Sequence, residues 1–262
     1  MASLKRSIKK VVKAAVYPIY ERRLSERVDR AKVPHHVGVI LDGNRRWARN
    51  AGAESEIGHA AGARKIVELL QWCEEFNIPH VTLWLLSTDN LSRSDREVSL
   101  LLEIIDRTVA ELAGRQKWRM NLVGALDVLP ADVQERLTHA CETTEDIAGI
   151  TVNVAIGYGG RREIADAVKS LLTEHATQGK SLIEVAEMLT PDHIAEHLYT
   201  KGLPDPDLVI RTSGEQRLGG FLLWQSVHSE FYFCEAYWPD FRRIDFLRAL
   251  RAFAQRSRRF GA

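Results

Sequence analysis

Short, nearly continuous apolar runs alternate with longer helical stretches through most of this chain, and that alternation constrains its fold more than any other feature. His36–Leu41, Pro79–Leu86, Trp118–Val123, Ile150–Ile156 and Asp207–Arg211 read as strands. Gly58–Phe76, Glu97–Leu112, a stretch around Asp132–Cys141, Arg161–His175, Ser181–Leu198 and Phe246–Arg256 read as helices. In the first of these, Ile66, Leu69, Leu70 and Cys73 recur at helical spacing. Phe221–Trp224 and Phe231–Phe233 are further apolar runs. Strands without polar alternation are covered on both faces, so the pattern predicts an α/β fold, an open and mainly parallel β-sheet flanked by helices. In such sheets a ligand binds beyond the carboxyl ends of the strands. Polar residues collect there: Asp42, Ser87, Gly157 and Arg211.

Composition removes several alternatives. Of the 262 residues, 45% are hydrophobic and 27% charged, which excludes collagen-like, coiled-coil and disordered classes. The net charge of +1 argues against a general nucleic-acid binder. No apolar run reaches the roughly 20 residues of a membrane-spanning helix. Cys73, Cys141 and Cys234 lie far apart and form no C-x-x-C, which disfavours structural zinc and redox chemistry and suits a reducing cytoplasm.

Charge is uneven at the start. Lys5, Arg6, Lys9, Lys10 and Lys13 stand among Leu4, Ile8, Val11, Val12 and Ala15 at helical spacing. Residues 1–33 are therefore expected to form a basic amphipathic segment and 34–262 the main folded domain. The segment suits the surface of an anionic membrane, on the cytoplasmic side, and equally a solvated terminus or a helix packed on the body. It lacks the apolar stretch of a secretory signal.

Two cationic clusters carry the chemistry. Asp42-Gly43-Asn44-Arg45-Arg46-Trp47 places a carboxylate, a glycine and two arginines at a strand end. Glycine lets backbone N–H groups approach a phosphate, and arginine offers a planar fork of donors to its oxygens. A carboxylate among them makes sense if it holds Mg²⁺ against a diphosphate. Arg211-Thr212-Ser213-Gly214-Glu215-Gln216-Arg217 repeats the pattern, with Glu215 available for an internal ion pair. Two phosphate-type clusters on one sheet edge suggest two anionic substrates or one long one. Gly157-Tyr158-Gly159-Gly160 lacks dinucleotide-binding spacing, and there is no Walker A motif and no G-x-S-x-G elbow. His193-Ile194-Ala195-Glu196-His197 matches an H-x-x-E-H zinc-peptidase pattern, one short enough to recur by chance.

With these residues in view, the chain resembles the cis-prenyltransferases, the undecaprenyl diphosphate synthase family. The likeness runs through His36–Ala48, Gly58–Gly62, Leu86–Asn90, Asn153–Arg161, Asp207–Gln225, Ser229–Phe233, Trp238–Phe241 and Arg258–Gly261. It implies condensation of isopentenyl diphosphate onto an allylic diphosphate, geranyl or farnesyl, with a Z double bond formed. It also implies a homodimer, Mg²⁺ and a hydrophobic tunnel for the product. By its motifs, Asp42 would hold Mg²⁺ and be essential, with Glu230 a second ligand. Gly43, Asn44, Arg45, Arg46 and Trp47 would cradle the allylic diphosphate, with His59 and Arg93 nearby. Arg211, Arg217 and the Gly219 turn would bind isopentenyl diphosphate. Ser87 and Asn90 would orient it or its proton transfer. Arg259 and Gly261 match a terminal R-x-G that can reach across a dimer.

Some positions depart from the family pattern. Ser55 stands where many members carry arginine, Leu91 where an aromatic is usual, Gly219 where serine is common, and Gln216 where His or Met is frequent. Leu85 stands where long-chain members often have alanine, and its bulk in the tunnel would stop elongation early. The resulting expectation is a short product of about fifteen carbons. The alternatives are a long-chain polyprenyl synthase and a non-catalytic partner subunit. Retention of Asp42, Arg211, Arg217 and Glu230 favours an active enzyme.

Overall fold

A computed structural model of the chain describes residues 17–256. The apolar runs become β1 (His36–Ile40), β2 (His80–Trp84), β3 (Arg119–Val123), β4 (Thr151–Ala155), β5 (Leu208–Arg211) and β6 (Glu230–Phe233). They form one sheet in the order β3-β4-β2-β1-β5-β6, and every pairing is parallel. Parallel neighbours need long crossovers, which helices supply. These are α1 (residues 17–26), then α2 (Asn44–Asn50), α3 (Ser55–Glu75), α4 (Asp95–Gly114), α5 (Ala131–Glu142), α6 (Gly160–Thr177), α7 (Leu182–Met188), α8 (Pro191–Ala195) and α9 (Arg243–Gln255).

Side chains alternate across the sheet with period two. Val37, Val39, Val81, Leu83, Val152, Val154, Leu208 and Ile210 enter the main core, where α3, α4, α5 and α9 bury Leu69, Ile105, Leu137 and Leu250. Ile40, Val123, Ala155 and Val209 face the other way, onto Tyr158, Phe221 and Leu222. That second face also carries a polar row. His36 Nε2 lies 2.7 Å from Thr82 Oγ1, the Asn153 amide donates to Thr82 Oγ1 at 3.1 Å, and the Asn121 amide donates to Asn153 Oδ1 at 3.1 Å. The other ring nitrogen of His36 meets the Pro204 carbonyl at 2.7 Å. Buried polar groups persist when they satisfy one another in this way.

One element differs from the sequence reading, and two that it left open are settled by packing. The helix expected over Ser181–Leu198 is two helices. Pro191 lacks an N–H to continue α7, and Thr190 starts α8 by accepting the His193 N–H. Phe221–Trp224 is a turn, because Leu222 takes a φ of 45° while Phe221 is fully buried. Finally, α1 packs onto the body. Leu24 and Val28 are core residues, and Arg243 of α9 clamps Glu21 at 2.9 Å and Glu75 at 2.6 Å. The folded body therefore reaches back at least to Tyr17, whose ring lies under Arg242. The basic stretch from Leu4 to Ala15 lies outside the described residues.

The polar row has a consequence for acid stability. Burial, its largest influence, lowers the His36 imidazole to about 4 from an ordinary 6.5. The folded state thus holds His36 neutral, while the unfolded chain takes up a proton below pH 6.5. Stability from this group is complete above that value and is lost as pH falls toward 4, by about 3 kcal/mol. Urea unfolding midpoints are expected to drop between pH 7 and pH 4, and to drop less in His36→Gln. Some slope persists in the variant because burial also depresses His59 and His80. An unaltered slope would exonerate His36.

Candidate active site

The carboxyl ends of β1 and β5 adjoin, and their polar residues converge. Asp42 lies just past β1, and its Oδ2 accepts from Arg211 Nη2 at 2.9 Å. Its Oδ1 lies 3.4 Å from Arg46 Nη2. Burial pulls the Asp42 carboxyl upward, but the Arg211 hydrogen bond and charge, with Arg46 and Ser213, outweigh it and hold the group below the ordinary carboxylate range. The Asp42 carbonyl accepts from Thr212 Oγ1 at 2.7 Å and from the Trp238 N–H at 3.0 Å. One residue thus ties β1 to β5 and to the segment before α9.

Gly43 follows with a φ of 107°, a conformation that favours glycine, and caps α2. A Cβ there would lie 2.7 Å from Tyr237. The turn lets α2 start at Asn44 and sets Arg46 against the β5 loop. Arg46 donates to Ser213 Oγ at 2.6 Å and to Glu215 Oε1 at 3.0 Å. Glu215 also holds Arg217, at 2.6 Å. Its carboxylate therefore sits between the two arginines, the place a diphosphate would contest. Glu97 plays the same part nearby, bridging Arg93 at 2.9 Å and Arg45 at 3.4 Å.

Three buried polar atoms here have no partner: His59 Nε2, Asn44 Oδ1 and Arg211 Nε. Burial, reinforced by Arg93, lowers His59 to about 4, so it is a neutral imidazole at pH 7. Ser87 and Asn90 form a reciprocal cap, with Asn90 Oδ1 accepting the Ser87 N–H at 3.3 Å and Ser87 Oγ accepting the Asn90 N–H at 3.2 Å.

Most of these groups open onto one cavity of about 1160 Å³. Its mouth is lined by Asp42, Arg45, Arg46, His59, Arg93, Arg211 and Arg217, with Gly43, Asn44, Ser87, Asn90 and Gly219. It continues past Leu85 to an apolar wall of Ile66, Leu101, Ile104, Ile105 and Thr108 on α3 and α4. A charged mouth on an apolar chamber suits an amphiphile with an anionic head and a hydrocarbon tail.

Some expected residues are placed elsewhere. Trp47 is half-buried but does not line the cavity. Glu230 opens β6 beside Leu208, at the amino end of the sheet, and pairs with Arg256 at 2.5 Å. Within one chain it is not brought to Asp42, which lies past the opposite end. Arg259 and Gly261 fall outside the described residues. His193 caps α8, and His197 contacts Ser170 and Glu174. Among the described residues no group of three or more His, Cys, Asp or Glu could hold a metal ion, so the zinc-peptidase pattern has no site there. The sequence reading also missed Arg49 and Trp84, both of which line the cavity. Arg49 lines the same cavity as Ser55, and its place in the last turn of α2 was the available signal.

The fold and this mouth define a class of parallel α/β proteins with a site shaped for an amphiphilic anion. A family model described as "Putative undecaprenyl diphosphate synthase" matches residues 40–261. The chain is 60% identical to a (2Z,6E)-farnesyl diphosphate synthase of Thermobifida fusca, over 96% of this chain and 99% of the relative. It is 52% identical to a (2Z,6E)-farnesyl diphosphate synthase of Mycolicibacterium smegmatis, over 95% and 97%. The crystal structure of lavandulyl diphosphate synthase from Lavandula x intermedia, in complex with dimethylallyl diphosphate, superposes with a TM-score of 0.81. That match has 31% identity and covers 88% of this chain and all of the other. The chain belongs to the undecaprenyl diphosphate synthase family of cis-prenyltransferases.

The cradle makes a prediction of unusual sign. Alanine normally stabilises a helix over glycine by about 1 kcal/mol. In α3, however, a Cβ at Gly58 would lie 2.2 Å from the Asn44 carbonyl oxygen. Gly58→Ala is expected to lower the melting temperature and weaken binding of inorganic pyrophosphate. A higher melting temperature with unchanged binding would show that α2 and α3 have room to part.

Proposed function

We propose that this enzyme condenses isopentenyl diphosphate onto a short allylic diphosphate, geranyl diphosphate for a product of about fifteen carbons, with Z geometry and release of diphosphate. The observation that carries this reading is the single cavity with two arginine clusters at its mouth and an apolar wall of Ile66, Leu101, Ile104 and Ile105 behind them.

The chain's own groups suggest the sequence of events. The allylic diphosphate docks on the Gly43–Arg46 turn, with Arg45, Arg93 and neutral His59 as donors and its tail between α3 and α4. Isopentenyl diphosphate docks on Arg211 and Arg217, displacing Glu215 from between its arginines. Fixed cations placed where charge develops on the departing diphosphate lower the barrier most. Holding both partners in one chamber supplies much of the rest. The isopentenyl double bond then forms the new carbon–carbon bond at the allylic carbon as the carbon–oxygen bond breaks, and the isopentenyl C2 gives up a proton to an oxygen of the diphosphate released. The Ser87–Asn90 cap would orient that unit.

Mg²⁺ is part of the proposal, and the donor set fits it. Asp42 is held ionised at the mouth, and Mg²⁺ commonly takes one or two carboxylates and fills its sphere with phosphate and water oxygens. When bound, it would neutralise diphosphate charge. A role for Glu230 as a second ligand would need another copy of the chain, because within one chain it lies at the far end of the sheet. The homodimer, with Arg259 and Gly261 contributing across it, belongs to the proposal on those grounds. Contact of the basic N-terminal segment with an anionic membrane is likewise proposed. No helix among the described residues is long and apolar enough to cross a membrane.

The test is product length. Purified protein with Mg²⁺, labelled isopentenyl diphosphate and geranyl diphosphate should add a single unit. Leu85→Ala should lengthen the product, because Leu85 lines the cavity. A long ladder from the wild-type protein, or an unchanged length in the variant, would remove Leu85 as the stop. Asp42→Ala should lower turnover at least about a hundredfold, and because Arg211 loses its counter-charge it should also lower the melting temperature, so activity is compared below that temperature, where the far-UV circular dichroism matches wild type. Near-normal turnover would falsify its assigned role.

A further inference from the structure

One aromatic side chain of the cavity is unexplained by diphosphate binding. Trp84 closes β2, and in register it lies beside Ile40 of β1, which lies beside Arg211 of β5. Residues level across a parallel sheet share a face, so Trp84 and Arg211 stand on the same side with Ile40 between them. The row continues to Ala155 of β4. This is the face of the smaller core, where Trp84 packs with Phe221 and Tyr158. Leu85, next along the chain, packs against the main core on the side of α3 and α4. Adjacent residues thus serve opposite sides of the strand, and both line the cavity.

The ring of Trp84 is held in place. Its indole N–H donates to the Tyr158 carbonyl at 3.3 Å. Phe221 stacks on it at 5.1 Å with a 17° interplanar angle, and Tyr158 meets it edge-on at 6.4 Å. Phe221 is fully buried, so the stack is backed by core. The benzo edge points to Gly219. A methyl group placed on Gly219 would lie 3.4 Å from Trp84 Cζ3 and 3.4 Å from Arg211 Nη1. A guanidinium and a fixed aromatic edge therefore converge on one spot. Arg211 is itself buried, and its Nε has no partner.

We propose that Trp84 is the aromatic wall of the homoallylic subsite, holding the five-carbon tail of isopentenyl diphosphate while Arg211 and Arg217 hold its phosphates. This rests on the assignment of the second arginine cluster to isopentenyl diphosphate. A diphosphate seated on Arg211 has its ester carbon chain leaving beside Gly219, and the first apolar surface there is the Trp84 ring. Glycine at 219 keeps that approach open. The allylic tail, on the Leu85 side, does not meet this ring. Trp84 therefore contributes to one substrate and not to the other.

The test separates the two substrates and needs no turnover for one of its arms. Trp84→Leu and Trp84→Phe are compared with wild type in steady state and by calorimetry with isopentenyl diphosphate alone and with inorganic pyrophosphate. Loss of one side-chain-sized apolar contact corresponds to about tenfold in affinity. In Trp84→Leu the KM for isopentenyl diphosphate should rise about tenfold, with the KM for geranyl diphosphate unchanged and Trp84→Phe intermediate. The preference for isopentenyl diphosphate over pyrophosphate should shrink in calorimetry, while pyrophosphate affinity holds. If both KM values rise together, or the preference over pyrophosphate is unchanged, the ring is only packing and the proposal fails. Should Trp84→Leu not fold, Trp84→Phe with the same pair of ligands decides it. Absence of isopentenyl incorporation by the wild-type protein would instead overturn the functional reading on which the subsite rests.

Discussion

Two opposite charges meet across adjacent strand ends, Asp42 beyond β1 and Arg211 at the end of β5. Each needs the other. Arg211 is only 6% exposed, and a buried guanidinium without a counter-charge is strongly destabilising. Asp42 in turn is kept ionised against the pull of burial by that same guanidinium. The pair also organises its surroundings. Arg211 donates to the Arg217 carbonyl and so shapes the loop that carries the second cluster. Thr212 and Trp238 fasten the Asp42 backbone. The first cluster is set by the Gly43 turn at the same corner. Both arginine clusters thus depend on one ion pair, at the sheet edge where a parallel α/β fold places its ligands.

The sheet also divides the chamber. Along β2, alternate side chains go to opposite faces, so Trp84 meets the face of Arg211 while Leu85 meets that of α3 and α4. A small homoallylic unit and a longer allylic tail can then be selected by different walls while their heads share one cationic mouth. Glu215 and Glu97 each bridge two arginines in the meantime. They offset the mutual repulsion of a cluster that would otherwise need an anion to hold together. On the proposed function, each diphosphate would exchange for a carboxylate already at hand.

Much of this was legible in the sequence. Five strands could be read because parallel strands are apolar on both faces, and of the residues at their ends Asp42, Ser87 and Arg211 line the cavity while Gly157 does not. Asp42, Arg46, Arg211 and Arg217 stood out by chemical type and spacing. Other features depend on contacts distant in sequence. Glu215 offered an ion pair with one arginine, and only the meeting of α2 with the β5 loop shows it serving two. Trp84 read as an ordinary strand aromatic, because its value lies in its register with Arg211, 127 positions away in the chain. Glu230 drew attention through its motif, yet it begins a strand, and a strand's first residue lies at the edge opposite the site. The packing of α1 was hidden because Glu21 is matched by Arg243, at the other end of the chain.

The central claim is that one mouth holds two diphosphates at once, one on each arginine cluster. Calorimetry with Mg²⁺, a non-hydrolysable thiolo analogue of geranyl diphosphate and isopentenyl diphosphate tests it directly. The account predicts one equivalent of each per chain, with isopentenyl diphosphate still binding after the analogue has saturated. Mutual exclusion, with a total of one diphosphate per chain, would contradict it.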